Sequence, residues 1–188
     1  GPGGLTPLHF AGVYDQPTVA TVLLDRGANV EARAFEGFTP LLLASTYGRE
    51  AVATVLLDHG ADVAVQAAES FTLKTPIHLA AQNGHEAMAT LLLDRGADVE
   101  ARNAREIAPL HLAVGHDQPA VAAVLLDRGA DVNVRDVEGF TPLAFAAQEG
   151  KEAMATLLLD RGADVMARTT RDATPLHCAG QNGRTALV

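Results

Sequence analysis

A four-residue string returns along this 188-residue chain at an almost constant interval. It reads Thr-Pro-Leu-His at residues 6–9. Its proline stands at Pro7, Pro40, Pro76, Pro109, Pro142 and Pro175, so the successive intervals are 33, 36, 33, 33 and 33 residues. Such a period is typical of stacked supersecondary units, each of which contacts only its neighbours along the array. The chain is therefore predicted to fold as a solenoid and not around one central core.

Each unit carries the start and stop signals of two short helices. Thr is a favoured N-cap residue, and the Pro after it stands at the first helical position, where its missing N–H costs nothing. Glycines such as Gly48 and Gly84 follow the first predicted helix, where the chain needs a positive φ. A second string, Leu-Leu-Asp-Arg-Gly-Ala at residues 23–28, recurs in the later full units with one Arg-to-His change and ends the second helix at a glycine.

This unit, with its Thr-Pro-Leu-His-x-Ala opening and its Leu-Leu-x-x-Gly-Ala close, resembles the ankyrin repeat. The resemblance spans nearly the whole chain. It implies an all-α fold, a helix-turn-helix repeat solenoid with β-hairpin-like loops between the repeats. We expect one domain over residues 1–188, in which residues 1–2 have the sequence that removal of a purification tag leaves. The expected repeats cover residues 4–33, 34–69, 70–102, 103–135, 136–168 and, incompletely, 169–188.

A longer period runs through the repeats. Asp15-Gln16-Pro17 returns at residues 117–119, and Glu36 to Pro40 returns at residues 138–142, each 102 residues later. We infer that a block of three units was duplicated. Neither end of the chain carries the polar outer face of a capping repeat, so we expect a piece of a longer array.

Several units depart from the common pattern. Leu42 and Ala144 replace the histidine, so these repeats are expected to lack the hydrogen bonds that it makes in ankyrin-like repeats. Ala108 replaces the threonine cap, which should cost about 1 kcal/mol. Asp15 and Asp117 replace the glycine after the first helix, a position that Asp tolerates better than most residues. We expect these units to open more easily than their neighbours.

Composition argues against several classes of partner. The 14 Lys and Arg against 23 Asp and Glu give a net charge of −9, whereas nucleic acids and anionic membranes attract clustered basic residues. We therefore expect neither as a partner. No signal peptide is visible, and the single Cys178, at a position where other units have Phe or Leu, is expected to be a core residue. These features indicate an intracellular, cytoplasmic protein, which we expect to be a monomer.

Seven histidines invite a metal-binding or acid–base interpretation. Four of them recur once per unit: His9, His78, His111 and His177. Neighbours one repeat apart cannot share a metal ion whose ligands lie ~2.1 Å away, so we expect structural hydrogen bonds. The other three are interpreted as scattered surface residues: His59, His85 and His116. The aspartates that recur with Asp25 are likewise expected to form a solvated stripe. We therefore expect no catalysis, no metal and no cofactor.

Aromatic residues are the clearest sign of a binding surface. The resemblance implies that residues just before Thr-Pro lie on loop tips and that residues near the end of the first helix line the concave face. Exposed aromatic side chains are enriched among interface anchors. The predicted partner-binding set is Tyr14, Phe35, Glu36, Phe38, Tyr47, Phe71, Lys74, Arg105, Ile107 and Phe140. The alternative, strongest for Phe38 and Phe140, is packing against neighbouring loops.

These observations favour a non-catalytic protein–protein interaction module that binds its partner on the concave face and the loop tips. The partner surface is expected to be apolar with a polar or basic rim. An alternative is a targeting or autoinhibitory region of a larger enzyme or receptor. The loop at Asp131-Val132-Asn133 also resembles the one that an asparaginyl hydroxylase modifies in some ankyrin repeats, which makes Asn133 a candidate for modification.

Overall fold

The computed structural model describes residues 2–69 and 72–181. These residues form eleven short α-helices: α1 (Pro7–Tyr14), α2 (Pro17–Asp25), α3 (Pro40–Tyr47), α4 (Glu50–Asp58), α5 (Pro76–Asn83), α6 (Glu86–Asp94), α7 (Pro109–Gly115), α8 (Pro119–Asp127), α9 (Pro142–Glu149), α10 (Glu152–Asp160) and α11 (Pro175–Gln181). Odd-numbered helices are the first helices of the repeats, and even-numbered helices are the second. No described helix has the length and apolar character that a membrane span requires.

Each first helix begins at the proline that the sequence pattern singles out. The hydroxyl of Thr39 accepts a hydrogen bond from the Leu42 N–H at 3.4 Å, which satisfies one of the N–H groups that a helix start leaves without a partner. Ala108 has no side-chain oxygen, but its own backbone N–H donates to His111 Nδ1 at 3.2 Å. The repeats with threonine caps make the same backbone bond, as from Thr75 N to His78 Nδ1, so the fourth repeat lacks only the side-chain hydroxyl.

The core is a continuous apolar layer between the row of first helices and the row of second helices. The first helices contribute Leu8, Leu41, Ile77, Leu110 and Leu143. The second helices contribute Leu24, Leu56, Leu92, Leu125 and Leu158. A buried alanine on each second helix keeps the two rows close: Ala20, Ala53, Ala89, Ala122 and Ala155. Each helix contacts its partner in the same repeat and its equivalents in the adjacent repeats, which confirms the predicted solenoid.

The connections between repeats are tight turns, and one of them is a β-hairpin. In this hairpin β1 (Ala67–Glu69) pairs antiparallel with β2 (Thr72–Lys74), with Ala67 opposite Lys74. It holds the three extra residues that lengthen the interval between Pro40 and Pro76 to 36. Backbone hydrogen bonds close other turns, from Ala34 N to Phe38 O at 2.8 Å and from Asp136 N to Phe140 O at 3.1 Å.

The chain adopts a left-handed conformation where a first helix ends. Gly48 and Gly84 have φ values of 61° and 75° at this position. Asp15 and Asp117 take the same position with φ values of 52° and 56°. The structure thus confirms that aspartate occupies the glycine position, in a backbone region that is costly for a residue with a Cβ atom.

Candidate functional site

Two grooves open on the face formed by the loops and by the ends of the first helices, here called the inner face. The first, named the aromatic groove, has a volume of about 270 Å³. It is lined by Gly3, Leu5, Ala34, Phe35, Glu36, Phe38, Leu43, Thr46 and Tyr47. Four predicted partner-binding residues therefore meet here: Phe35, Glu36, Phe38 and Tyr47. They come from one loop and the helix after it, so their proximity is largely local.

The three aromatic side chains of this groove differ in exposure. Phe35 is 73% exposed and Tyr47 is 46% exposed. Phe38 is half-buried and packs against a small buried cluster of Leu42, Val65, Ala67 and Leu79. Local packing therefore accounts for Phe38, whereas Phe35 and Tyr47 present apolar surface to solvent.

The second groove, named the basic pocket, lies between the third, fourth and fifth repeats and has a volume of about 360 Å³. It is lined by Lys74, Gln82, Asn103, Arg105, Ile107, His111, Leu112, Gly115, His116 and Phe145. It brings together three further predicted residues: Lys74, Arg105 and Ile107. Ile107, Leu112 and Phe145 supply the apolar part of its wall, and Lys74, Arg105 and His116 supply basic groups.

Hydrogen bonds hold the polar parts of the basic pocket in place. Lys74 Nζ donates to Gln82 Oε1 at 2.6 Å. The buried Asn103 accepts two backbone hydrogen bonds at Oδ1, from Arg105 N at 2.8 Å and from Ile107 N at 3.1 Å. The Arg105 guanidinium lies 3.6 Å from the Glu138 carboxylate. The buried Asn103 side chain therefore holds the loop that carries Arg105 and Ile107 in place.

The recurring histidines tie each loop to the repeat before it. Three Nε2 atoms contact a loop carbonyl oxygen one repeat along: His9 that of Phe38 at 3.0 Å, His78 that of Ile107 at 3.0 Å, and His111 that of Phe140 at 3.1 Å. In His78 the Nδ1 atom accepts from the Thr75 N–H at 3.4 Å, so Nε2 carries the proton and donates it. Burial lowers the pKa of His78 to about 4 and also lowers the pKa of His111. The predicted structural hydrogen bonds are confirmed at His9, His78 and His111.

A family model described as ankyrin repeats, in three copies, matches residues 2–67, 35–103, 67–136 and 110–188. The chain belongs to the ankyrin repeat family. Ankyrin repeats are generally protein–protein interaction modules and are typically non-catalytic. No curated protein matches this sequence.

Tyr14 and Phe140 do not line either groove of the ankyrin array. Tyr14 is 65% exposed, and its ring stacks on Phe10 with centroids 6.4 Å apart. Phe140 is half-buried, with its ring centroid 5.4 Å from that of Phe145, so local packing accounts for it. Phe71 lies outside the described residues. The described part of the predicted set is therefore divided between two grooves.

Sequence reasoning missed His116 as a site residue. His116 is exposed, as predicted, but it also follows α7 and lines the basic pocket. The missed signal was its place in the ankyrin repeat. Residues at the end of the first helix recur at intervals of 33, 36, 33 and 33: Tyr14, Tyr47, Asn83, His116 and Glu149. This row changes from aromatic to polar, basic and acidic along the array.

The recurring aspartates pair across neighbouring ankyrin repeats. Three ion pairs form what we call the aspartate–arginine ladder: Asp58 with Arg95 at 2.8 Å, Asp94 with Arg128 at 2.7 Å, and Asp127 with Arg161 at 2.9 Å. These side chains are partly exposed, one pair per repeat, which confirms the predicted spread-out stripe. His59 replaces the arginine in the second repeat and lies 3.5 Å from Asp25.

Other reactive groups are dispersed or buried. Across residues 2–69 and 72–181, no three His, Cys, Asp or Glu side chains lie close enough together to hold a metal ion. Cys178 is 3% exposed, as expected for a core residue, and burial raises the pKa of its thiol. A protonated, inaccessible thiol is a poor nucleophile.

Proposed function

We propose that this ankyrin array is a non-catalytic protein-binding module that takes an apolar segment of its partner in the aromatic groove. One observation carries the proposal: the exposed rings of Phe35 and Tyr47 share a groove with Leu5 and Leu43. Contiguous apolar surface on a folded protein marks interaction sites, and aromatic side chains dominate binding energy at such sites.

The charge at the edge of this groove adds a preference for the partner's flanking residue. Glu36 lines the same groove as Phe35 and is exposed. A Lys or Arg beside the apolar segment of the partner would pair with this carboxylate and favour one orientation of binding. An apolar segment with a basic neighbour is therefore the ligand that we propose for the aromatic groove.

Affinity capture tests this proposal. The immobilised chain, a Phe35→Ser/Tyr47→Ser variant and a Val137→Ser variant are incubated with the same native lysate, and the bound proteins are quantified by mass spectrometry. Val137 is the matched control because it stands 102 residues after Phe35, is also exposed, and lies outside the aromatic groove.

We expect a specific protein to be retained by the unaltered chain and by Val137→Ser, and to be reduced about tenfold or more on the double variant, since an anchor contributes about 2 kcal/mol or more. Circular dichroism checks that all three proteins are folded. Equal retention of every bound protein by the folded double variant would refute binding through the aromatic groove.

A further inference from the structure

The 102-residue duplication gives the aromatic groove a counterpart in the second block of repeats. Equivalent residues stand 102 positions apart: Leu5 and Ile107, Glu36 and Glu138, Phe38 and Phe140, Leu43 and Phe145. In the second block the guanidinium of Arg105 lies 3.6 Å from the Glu138 carboxylate. The second block thus shows which kind of group a carboxylate at this loop position contacts, namely the guanidinium of an arginine in the preceding loop.

The first block keeps the carboxylate and lacks the arginine. Gly3 stands where Arg105 stands in the second block, and it lines the aromatic groove together with Glu36. Glu36 is exposed, and within the described residues its carboxylate makes no ion pair and no hydrogen bond. The described lining of the groove contains no Lys or Arg. A guanidinium from another molecule would therefore complete the pair that the second block makes internally.

Neighbouring basic residues do not take the place of the missing arginine. In both blocks they are bonded to backbone carbonyl oxygens: Arg33 and Arg49 in the first, Arg135 and Lys151 in the second. In the second block Glu138 still pairs with Arg105 in the presence of these cations. Cations at these positions therefore do not prevent the carboxylate from contacting an arginine.

Aromatic side chains replace two residues of the second block. Phe35 and Tyr47 stand where the second block has Val137 and Glu149, and their side chains are 73% and 46% exposed. A guanidinium is planar and weakly hydrated, so it stacks on aromatic rings while it pairs with a carboxylate, whereas a lysine ammonium is compact and strongly hydrated. Exposed rings beside the single carboxylate of Glu36 therefore suit arginine better than lysine.

The backbone of the loop differs between the two blocks. Glu36 has a φ of 56°, a left-handed conformation that is costly for a residue with a Cβ atom and that Glu138 does not share. Such conformations are concentrated at ligand-binding and other functional positions. Both carboxylates are exposed. An arginine of a partner is not tied to the preceding loop, as Arg105 is, so it can approach Glu36 in this conformation.

We propose that the aromatic groove binds an arginine side chain of the protein partner, with its guanidinium paired with Glu36 and stacked on the exposed aromatic surface of Phe35 and Tyr47. This inference rests on the proposed function, because it specifies the basic residue beside the partner's apolar segment. The apolar neighbour of the arginine packs on Leu5 and Leu43, which line the same groove. Charge-assisted hydrogen bonds of this kind are about twice as strong as neutral ones.

Three short peptides test the inference without knowledge of the partner. N-acetyl-Leu-Arg-Leu-amide is compared with its citrulline analogue, which has nearly the same shape and no charge, and with its Lys analogue. Each peptide is titrated into the whole chain, and NMR follows the rings of Phe35 and Tyr47 and the backbone signal of Glu36. We expect saturable shifts with the Arg peptide, binding of the citrulline peptide that is about fivefold weaker or more, and binding of the Lys peptide that is about threefold weaker or more.

A Glu36→Gln variant and a matched control sharpen the test. Glu36→Gln should weaken binding of the Arg peptide about fivefold and leave binding of the citrulline peptide unchanged. Glu138 stands 102 residues later, is also exposed and does not line the aromatic groove, so Glu138→Gln should change neither titration. Added salt should weaken binding of the Arg peptide more than binding of the citrulline peptide.

Equal affinity for the Arg and citrulline peptides, equal affinity for the Arg and Lys peptides, absence of saturable shifts, or equal effects of the two Glu-to-Gln substitutions would each overturn the inference. The two proposals fail separately. If the Phe35→Ser/Tyr47→Ser variant loses its captured protein while the peptides do not discriminate, the arginine subsite is wrong and the binding module stands. If the peptides discriminate while capture is unaffected, capture of the protein partner through the aromatic groove is wrong.

Discussion

At the scale of single residues, the histidine of the Thr-Pro-Leu-His string links two consecutive repeats. His78 joins its own helix start, through Thr75, to the carbonyl oxygen of Ile107 in the next loop. Where Leu42 replaces the histidine, its side chain enters the small apolar cluster beneath Phe38, and the following loop is the lengthened hairpin. In this repeat an apolar contact therefore replaces the hydrogen bonds that the histidine makes in other repeats.

The neutral His78 predicts a pH dependence of stability. The unfolded histidine takes up a proton near pH 6.5, whereas the folded one does so only at about pH 4. Stability is therefore present above pH 6.5 and falls by about 3 kcal/mol as the pH drops to about 4. In a His78→Gln variant this fall should become shallower, although His111 continues to contribute. Urea unfolding at a series of pH values measures both profiles, and parallel profiles would contradict the assignment.

At the scale of elements, the turn after the first helix has an unfavourable backbone conformation in two repeats. Asp15 and Asp117 hold a left-handed conformation that Gly48 and Gly84 adopt without strain. The proline two residues later starts the next helix, as it does for α8 after Asp117. The turn is therefore retained even though its first residue is unfavourable.

Asp117→Gly is predicted to stabilise the protein by about 0.5 kcal/mol, because relief of strain at φ 56° exceeds the added flexibility of the unfolded chain. Asp117→Ala serves as the control, since it also removes the carboxylate but keeps the Cβ atom in the left-handed region, and it should be destabilising. Urea unfolding at neutral pH compares the three proteins. Equal changes in the free energy of unfolding of the two variants would show that loss of the carboxylate, and not the backbone conformation, determines the effect.

At the scale of the whole molecule, the two grooves are related through the 102-residue duplication. Ile107 and Phe145 of the basic pocket stand 102 residues after Leu5 and Leu43 of the aromatic groove. The same apolar framework thus supports an exposed aromatic surface in the first block and, where the two blocks meet, a pocket lined by basic side chains. The outer aspartate–arginine ladder crosses both blocks, and exposed pairs of this kind contribute about 0.2–1 kcal/mol each.

The equivalent pair of the second repeat, His59 with Asp25, is pH-sensitive. The hydrogen bond from Nδ1 to the Val55 carbonyl oxygen raises the pKa of His59, and Asp25 raises it further. Its contribution is therefore present below the unfolded pKa of about 6.5 and is lost as the pH rises through the folded value. Arginine keeps its charge, so His59→Arg should raise the melting temperature at about pH 8 and have less effect at about pH 5. Arg95→His, the reverse substitution in the next pair, should lower the melting temperature more at about pH 8 than at about pH 5. A rise in melting temperature for His59→Arg that does not depend on pH would contradict this explanation.

Much of the fold followed from local signals. The helices were predicted from the Thr-Pro sequence at their start, the glycine or aspartate after their end and the 33-residue spacing between repeats. The start and end signals could be recognised because each acts within one or two helical turns. The exposed aromatic residues of the aromatic groove could be predicted for the same reason, since Phe35 and Tyr47 lie in one loop and in the helix that follows it. The packing of Phe140 on Phe145 could not be predicted, because it depends on how the loop lies against the helix.

The sequence by itself determined the repeat, the solenoid and the structural role of the recurring histidines, since these depend on short-range order repeated many times. Only the tertiary structure decided which of the predicted residues share a groove. Lys74 comes from one repeat and Arg105 and His116 come from the next, and no spacing in one sequence shows that they line one pocket. Stacking sets those distances, because each repeat is positioned by the buried faces of its neighbours and not by its own residues alone.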